Sequence, residues 1–165
     1  MTNLSNRSII SQLTLETLDL KAVRALMQNG RATWADLAQH LGLSAPAAAD
    51  RVHRLEERGV IRGYTALVDA EAAGYPLAAF VAVALERPGQ RAAFLKRIAA
   101  LPEVAECHHV AGDDDYLLKV RCRGTRDLDR LLVESLKTIP GVRTRTTIVL
   151  ATAKESAIVP LAEEE

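Results

Sequence analysis

Residues 33–58 read TWADLAQHLGLSAPAAADRVHRLEER, and this stretch predicts two short helices joined by a tight turn. Thr33, with Asp36 three residues later, has the form of a capping box, so the first helix is expected to begin there. Gly42 breaks that helix, and Ser44 is a typical N-cap for the second. Two helices with so short a connection indicate a helix-turn-helix.

Further elements are predicted on either side of this motif. An earlier helix is indicated by a stop signal at Asn29-Gly30 and by apolar residues that recur every three to five positions, namely Leu15, Leu18, Val23 and Leu26. After the motif, residues 60–61 and 64–68 are expected to be extended. They either pair as strands, which would make the motif winged, or form an arm toward the following domain.

The second half of the chain contains an internal repeat, in which the segments LPEV and IPGV begin at Leu101 and Ile139, 38 residues apart. Each copy is predicted to form a strand, a helix and a strand. The predicted ranges are strand 77–86, helix 89–100 and strand 104–111 in the first copy, and strand 115–122, helix 125–138 and strand 142–151 in the second. The order βαββαβ is typical of a ferredoxin-like sandwich.

These patterns predict an α+β protein with an N-terminal winged helix-turn-helix domain followed by a ferredoxin-like βαββαβ sandwich. The expected divisions are a loose N-terminal tail at 1–12, the helix-turn-helix domain at 13–63, an extended linker or hinge at 64–75, the sandwich domain at 76–152 and a C-terminal tail at 153–165.

Composition excludes several classes of protein. Hydrophobic residues make up 48% and charged residues 25%, ordinary globular values that argue against disorder or collagen. Lys+Arg and Asp+Glu both total 21, so any basic surface must be a local patch. The longest apolar stretch, residues 77–85, is too short to span a bilayer, no signal-peptide pattern is seen, and two cysteines make no disulfide framework. We expect a cytoplasmic protein with no membrane partner.

Residues 77–85, LAAFVAVAL, are apolar on both alternating faces of the predicted strand. In a two-layer sandwich only one face of the sheet meets the helices, so the other face is usually polar. A second subunit is the simplest cover for this one, and the sequence therefore predicts a homodimer.

A row of arginines follows the second helix of the motif and its exit, at Arg51, Arg54, Arg58 and Arg62. Such a row alone is more often a solvated charged face, but the second helix of a helix-turn-helix is where phosphates are contacted. The helix begins with small side chains, which can touch a thymine methyl but make no bidentate base contact. The predicted DNA contacts are Thr33, Ser44, Ala45, Ala47, Arg51 and Arg54.

Cys107, His108 and His109 raise the question of a metal site. In a strand only Cys107 and His109 share a face, with Cys122 a possible third ligand, and no CxxC or HxxxH spacing is present. The sequence therefore predicts no metal site, and small buried cysteines in a reducing compartment are the simpler interpretation.

The quoted segments together resemble the Lrp/AsnC family, the feast/famine transcriptional regulators. The resemblance runs from about residue 15 to about residue 150 and is carried by GRATWADLA at 30–38, GLS at 42–44, RVHRLE at 51–56, GVIRGY at 59–64, VAGDDDYLL at 110–118 and PGV at 140–142. Glu16 departs from the Asp that is usual in the family. The alanine-rich start of the recognition helix also departs, which leaves the operator sequence open.

The resemblance implies an N-terminal domain that binds double-stranded DNA and a C-terminal ligand-sensing domain of the RAM or AsnC type. It also implies homodimers that assemble to tetramers or octamers, with no cofactor. From the residues alone, Gly112–Asp115 suits a plain turn equally well; in proteins that this chain resembles, the same turn helps to form an amino-acid effector pocket between subunits, where a carboxylate can pair with the ligand ammonium. The implied effector-binding residues are Gly112, Asp113, Asp115, Thr144 and Thr146.

No nucleophile motif, phosphate loop or zinc-protease pattern is present, so we expect no enzyme activity. One enzyme alternative is a sirohaem-type haem-precursor decarboxylase, which shares this architecture and could use His108 and His109. The turn at 112–115 and the arginine-bearing helix favour the regulator. A third hypothesis, an interaction module without DNA contact, leaves the arginine row unexplained.

Overall fold

The computed structural model describes residues 15–161, apart from the side chain of Pro88. The predicted N-terminal tail at 1–12 and the last four residues of the predicted C-terminal tail lie outside the described residues. The described chain falls into two compact units, one formed by residues 15–66 with 156–161 and the other by Leu67–Glu155.

The first unit contains three helices, α1 at Thr17–Gln28, α2 at Trp34–Leu41 and α3 at Ala45–Glu57. They pack around a small apolar core formed by Ala22, Leu37, Ala38, Leu41, Ala48, Val52 and Leu55. These residues recur at helical spacing, so each helix turns one apolar face inward. The predicted helix-turn-helix is confirmed.

Local capping positions α2 and α3 as the sequence predicts. The Thr33 hydroxyl accepts a hydrogen bond from the Asp36 N–H at 3.2 Å, and the Thr33 N–H donates to the Asp36 carboxylate at 3.0 Å, which completes the capping box. Gly42 ends α2 with φ of 68°, in the left-handed region that favours glycine. The Ser44 hydroxyl then accepts from the Ala47 N–H at 3.4 Å and caps α3.

Paired strands after α3 are not formed within the described chain. The N–H groups of Val60 and Ile61 both donate to the Leu55 carbonyl, at 2.9 and 3.2 Å, so they close the end of α3 and take no part in a ladder. Residues 62–69 have no regular secondary structure, and a turn follows at 70–74. Of the two alternatives for this segment, an unpaired arm is the one observed.

The second unit has the predicted βαββαβ order. Its elements are β1 at Leu77–Leu85, a 3₁₀ turn at Pro88–Gln90, α4 at Arg91–Ala99, β2 at Val104–His109, β3 at Tyr116–Cys122, α5 at Thr125–Arg130 with a π-helical continuation at Leu131–Leu136, and β4 at Val142–Ile148. The strands form one antiparallel sheet in the order β2-β3-β1-β4. The ferredoxin-like sandwich is confirmed, and β2 and β4 are shorter than predicted.

The two faces of the sheet differ in what covers them. Val81 and Val83 are fully buried in a core with Phe94, so they face the helices. Phe80 alternates with them and is therefore on the open face, where it is 38% exposed. The apolar residues of β1 thus form part of the core on one face and a partly exposed apolar strip on the other.

Candidate functional site

The exposed face of α3 is the candidate nucleic-acid surface. The helix buries Ala48, Val52 and Leu55 against its own unit and leaves the opposite side in solvent. Ala47 is exposed and Ala45 half-buried on the first turn of this helix, next to the Ser44 cap. The surface therefore begins with small side chains, which allow close approach to DNA, although Pro46 has no N–H and the Ala47 N–H is already bonded to the Ser44 hydroxyl.

The four arginines of the predicted row do not share one environment. Arg51 is only 18% exposed, and its guanidinium pairs with the buried carboxylate of Asp19 and with Glu16 at 3.2 Å. Arg58 pairs with the second oxygen of Asp19 at 3.1 Å. The hydrogen bond to Asp19 raises the pKa of Arg51 above its ordinary value. Two of the arginines are thus engaged within the unit.

Arg54 is directed outward instead. Its side chain is 59% exposed, and its guanidinium pairs with Asp50, one helical turn earlier, at 2.9 Å. Thr33, another predicted DNA contact, has its hydroxyl in use, because the same oxygen that accepts from the Asp36 N–H also donates to the Asp36 carboxylate at 2.7 Å. Among the long side chains predicted to contact DNA, Arg54 is the one placed in solvent.

A second candidate site lies in the sandwich unit, beside the turn that joins the two repeats. It is an open pocket of about 290 Å³. Its lining residues come from the turn, from β1 and from β4: Asp113, Asp114, Ala84, Arg143, Thr144 and Arg145. Asp113 and Thr144 are therefore brought together as the sequence predicts.

Charges in this pocket are partly paired and partly free. Asp114 and Arg145 form an ion pair at 2.7 Å. Asp113 and Arg143 are both exposed, and neither forms an ion pair or side-chain hydrogen bond with another residue of 15–161. The pocket thus offers one free carboxylate and one free guanidinium, a pair of opposite charges on the same surface.

Asp115 and Gly112 shape the turn. The Asp115 carboxylate accepts from the Leu85 N–H at 2.7 Å, and the Asp115 N–H donates to the Val83 carbonyl at 2.9 Å, so this residue ties the turn to β1. Gly112 has φ of 154°, and a Cβ there would meet nothing within 4 Å. Its contribution is backbone conformation and not space for a neighbour.

The two β4 threonines predicted to bind the effector lie on the same face of the strand. Thr144 pairs with Val83 and Thr146 with Val81, so both threonines share the helix-facing side of the sheet with those buried valines. Thr144 still lines the pocket, whereas Thr146 does not. Arg143 and Arg145 alternate with them on the open face. Sequence reasoning missed these two arginines and Asp114, although the alternation along β4 placed both arginines on one face.

The side chains of the histidine and cysteine cluster are divided between the two faces of the sheet. Cys107 and His109 pair with Leu118 and Tyr116 on the helix-facing side, and the His109 ring packs against Tyr116. His108 is on the other face, 2.9 Å from Glu106. No group of three metal-ligating side chains occurs in the described part of the chain. Burial also raises the pKa of both thiols, that of Cys122 to about 11, which disfavours the thiolate a metal requires.

Comparison with known proteins also matches the chain to two domain families, one for each half. The family model for winged helix-turn-helix DNA-binding domains matches residues 15–62, and the family model for the Lrp/AsnC ligand binding domain matches residues 78–159. The chain is 44% identical over 138 residues to the HTH-type transcriptional regulator LrpA of Mycobacterium tuberculosis, which covers 84% of this chain and 91% of that protein. The chain belongs to the Lrp/AsnC family of transcriptional regulators.

Other members of the Lrp/AsnC family are similar over most of their length. The leucine-responsive regulatory protein of Haemophilus influenzae is 40% identical over 145 residues, 86% of this chain and 87% of that protein. A transcriptional regulator of Neisseria meningitidis, solved as a complex with L-methionine, superposes with a TM-score of 0.85 at 29% identity, over 89% of this chain and 97% of that one. The feast or famine regulatory protein of M. tuberculosis, also solved with L-methionine, gives a TM-score of 0.82 at 41% identity, over 88% and 98%.

Family membership supports the regulator among the hypotheses left open by the sequence. The relatives are named transcriptional regulators, and the decarboxylase alternative has no support. Its two histidines also face opposite sides of the sheet, so they do not converge on one reacting centre. No helix in residues 15–161 is both long enough and apolar enough to cross a membrane.

Proposed function

We propose that this Lrp/AsnC-family regulator contacts the major groove of its operator with the exposed face of α3. The observation that carries the proposal is Arg54, whose side chain is in solvent while Arg51 and Arg58 are paired with Asp19. Ser44, Ala45 and Ala47 add a first turn of small side chains that lets the helix approach the DNA backbone closely. Thr33 and Arg51 act mainly by positioning α2 and α3, because their polar groups are engaged within the unit.

We further propose that an amino acid is the effector and that it binds in the pocket beside the turn at 112–115. The L-methionine complexes of two relatives support the ligand class. An amino acid carries an ammonium and a carboxylate, and the pocket supplies a free carboxylate at Asp113 and a free guanidinium at Arg143. Asp114 and Arg145 neutralise each other, so the pocket suits a ligand with no net charge.

The functional unit is proposed to be a homodimer, with further assembly to a tetramer or octamer, acting in the cytoplasm and without a catalytic step. Support for the dimer comes from Phe80 and the apolar strip around it on the open face of the sheet. Two recognition helices in one assembly would read two half-sites about one DNA turn apart. An effector bound next to such an interface shifts assembly only by its different affinity for the two states.

An electrophoretic mobility shift assay on the DNA upstream of the protein's own gene tests the first proposal. The wild-type protein is expected to shift this fragment, with an affinity that falls steeply as salt rises, because bound Lys and Arg release counterions. A decarboxylase and an interaction module both predict no shift at any salt concentration, so that result would contradict the proposal.

A further inference from the structure

The exposed face of α3 carries a pair of opposite charges where a simple phosphate-binding helix would carry only positive ones. Ala45, Pro46 and Ala47 supply no hydrogen-bonding side chain on the first turn. The next exposed polar side chains along the helix are Asp50, His53 and Arg54, of which His53 packs its ring edge-on against Trp34. The two charged ones, Asp50 and Arg54, are 68% and 59% exposed. A carboxylate at this position repels phosphates, so its presence needs a reason other than general affinity for DNA.

The ion pair between Asp50 and Arg54 gives a reason for this carboxylate. The Asp50 Oδ2 atom lies 2.9 Å from Arg54 Nη2, with the acid one turn before the base, the favourable order on a helix. One edge of the guanidinium is thereby held by the protein, and its other N–H donors stay available. A guanidinium fixed in this way is suited to the N7 and O6 acceptors of guanine, while the second oxygen of Asp50 can accept from a cytosine amino group.

We propose that Asp50 and Arg54 act as one unit that reads a G·C base pair, with Arg54 contacting guanine and Asp50 fixing its orientation. This inference rests on the proposed placement of α3 in the major groove. Asp50 is then a specificity determinant that lowers affinity for DNA in general and raises discrimination at one base pair. The small first turn assists, because it lets the helix approach the groove closely enough for a side chain further along to reach a base edge.

Binding selection on double-stranded DNA with a randomised core tests the proposal. Four proteins are compared: wild type, Asp50→Asn, Arg54→Lys and the control Glu57→Gln. Glu57 is also exposed on α3, so its substitution removes the same charge without touching the pair. Arg54→Lys keeps the positive charge and removes the planar fork. Thermal melts of all four proteins check that the fold is kept.

The wild-type selection is expected to show a G·C pair at a fixed position in each half-site. Asp50→Asn and Arg54→Lys are expected to lose that preference, each by roughly 10-fold in discrimination, at the same position. Binding to DNA of scrambled sequence is expected to tighten with Asp50→Asn and Glu57→Gln alike, whereas Glu57→Gln keeps the wild-type preference.

Three results would overturn the inference: a wild-type site without a G·C preference, an Asp50→Asn protein that selects the wild-type site, or loss of the same preference with Glu57→Gln. Failure of the proposed function would look different, because the wild-type protein would then retain no DNA at all from the randomised pool.

Discussion

Asp19 on α1 and Arg51 on α3 form an ion pair that joins the first helix to the recognition helix. Asp19 is 4% exposed, and it is the buried acidic residue of the described chain. Its two carboxylate oxygens are divided between Arg51 and Arg58. A buried carboxylate is tolerated only when it is paired, so the orientation of α3 relative to α1 depends on these contacts.

Arg51→Ala is expected to destabilise the protein by about 2 kcal/mol, less than complete loss of a buried pair, because Arg58 still neutralises Asp19. Arg54→Ala is expected to change stability by less than about 0.5 kcal/mol, since its side chain is in solvent. Urea unfolding of the two variants measures the difference. If the two variants had equal free energies of unfolding and bound DNA equally weakly, Arg51 would be a DNA contact and not a structural residue.

The contrast between these arginines shows where sequence reasoning stops. The caps at Thr33 and Ser44 were predictable because capping involves residues three positions apart. The inward direction of Arg51 was not, because Asp19 lies 32 positions earlier and meets it only after α1 packs on α3. Spacing along one helix assigns residues to faces, but it does not identify which face another helix covers.

The orientation of the β4 side chains was unpredictable for the same reason. Alternation along β4 separated Thr144 and Thr146 from Arg143 and Arg145, and the register with β1 confirms that separation. Which of the two sets faces the helices depends on how β4 is aligned with Val83, and no local signal contains that information. The pocket charges were therefore missed although the residues that carry them were on a recognised strand.

The phenol of Tyr64 is expected to lose its proton at a higher pH than an ordinary tyrosine does. Burial and, to a smaller extent, the hydrogen bond that it donates to Glu56 at 2.9 Å raise its pKa to about 12 from an ordinary 10.0. Because the folded pKa is the higher one, the stability from this phenol is fully present below pH 10.0 and is lost as the pH rises through about 12. The ultraviolet absorbance of phenolate, compared between wild type and Tyr64→Phe, isolates this group. Glu56→Gln should lower its pKa only part of the way, and an unchanged titration in Tyr64→Phe would contradict the assignment.

Glutamate substitutions on the two faces of β1 are expected to have different effects on folding and assembly. Val81→Glu should unfold the protein, because it places an unpaired carboxylate in the core with Phe94. Phe80→Glu should leave the fold intact and dissociate the assembly, because Phe80 lies on the open face. Sedimentation velocity, with circular dichroism on the same samples, separates the two effects.

Val133→Glu serves as the control for Phe80→Glu, since Val133 is also exposed, at 46%, but belongs to the helix layer. It is expected to sediment like the wild type. A wild-type protein that is monomeric at micromolar concentration, or a Phe80→Glu protein with unchanged sedimentation, would show that the open face is not the interface.

Amino-acid binding in the pocket beside the turn at 112–115 can be tested by its effect on thermal stability. In a thermal-shift screen of the standard amino acids, those with uncharged side chains are expected to raise the melting temperature. With Asp114 paired to Arg145, only Asp113 and Arg143 remain unpaired, and the ligand's own ammonium and carboxylate match them. Asp113→Asn and Arg143→Gln should each abolish most of this shift without changing the melting temperature of the free protein, as both side chains are exposed. Arg126→Gln removes an exposed arginine of α5 outside the pocket and should keep the shift. Asp115→Ala is unsuitable for this test, because it leaves the Leu85 N–H without its acceptor and should destabilise the free protein as well. A shift that survives both pocket substitutions would place the effector elsewhere.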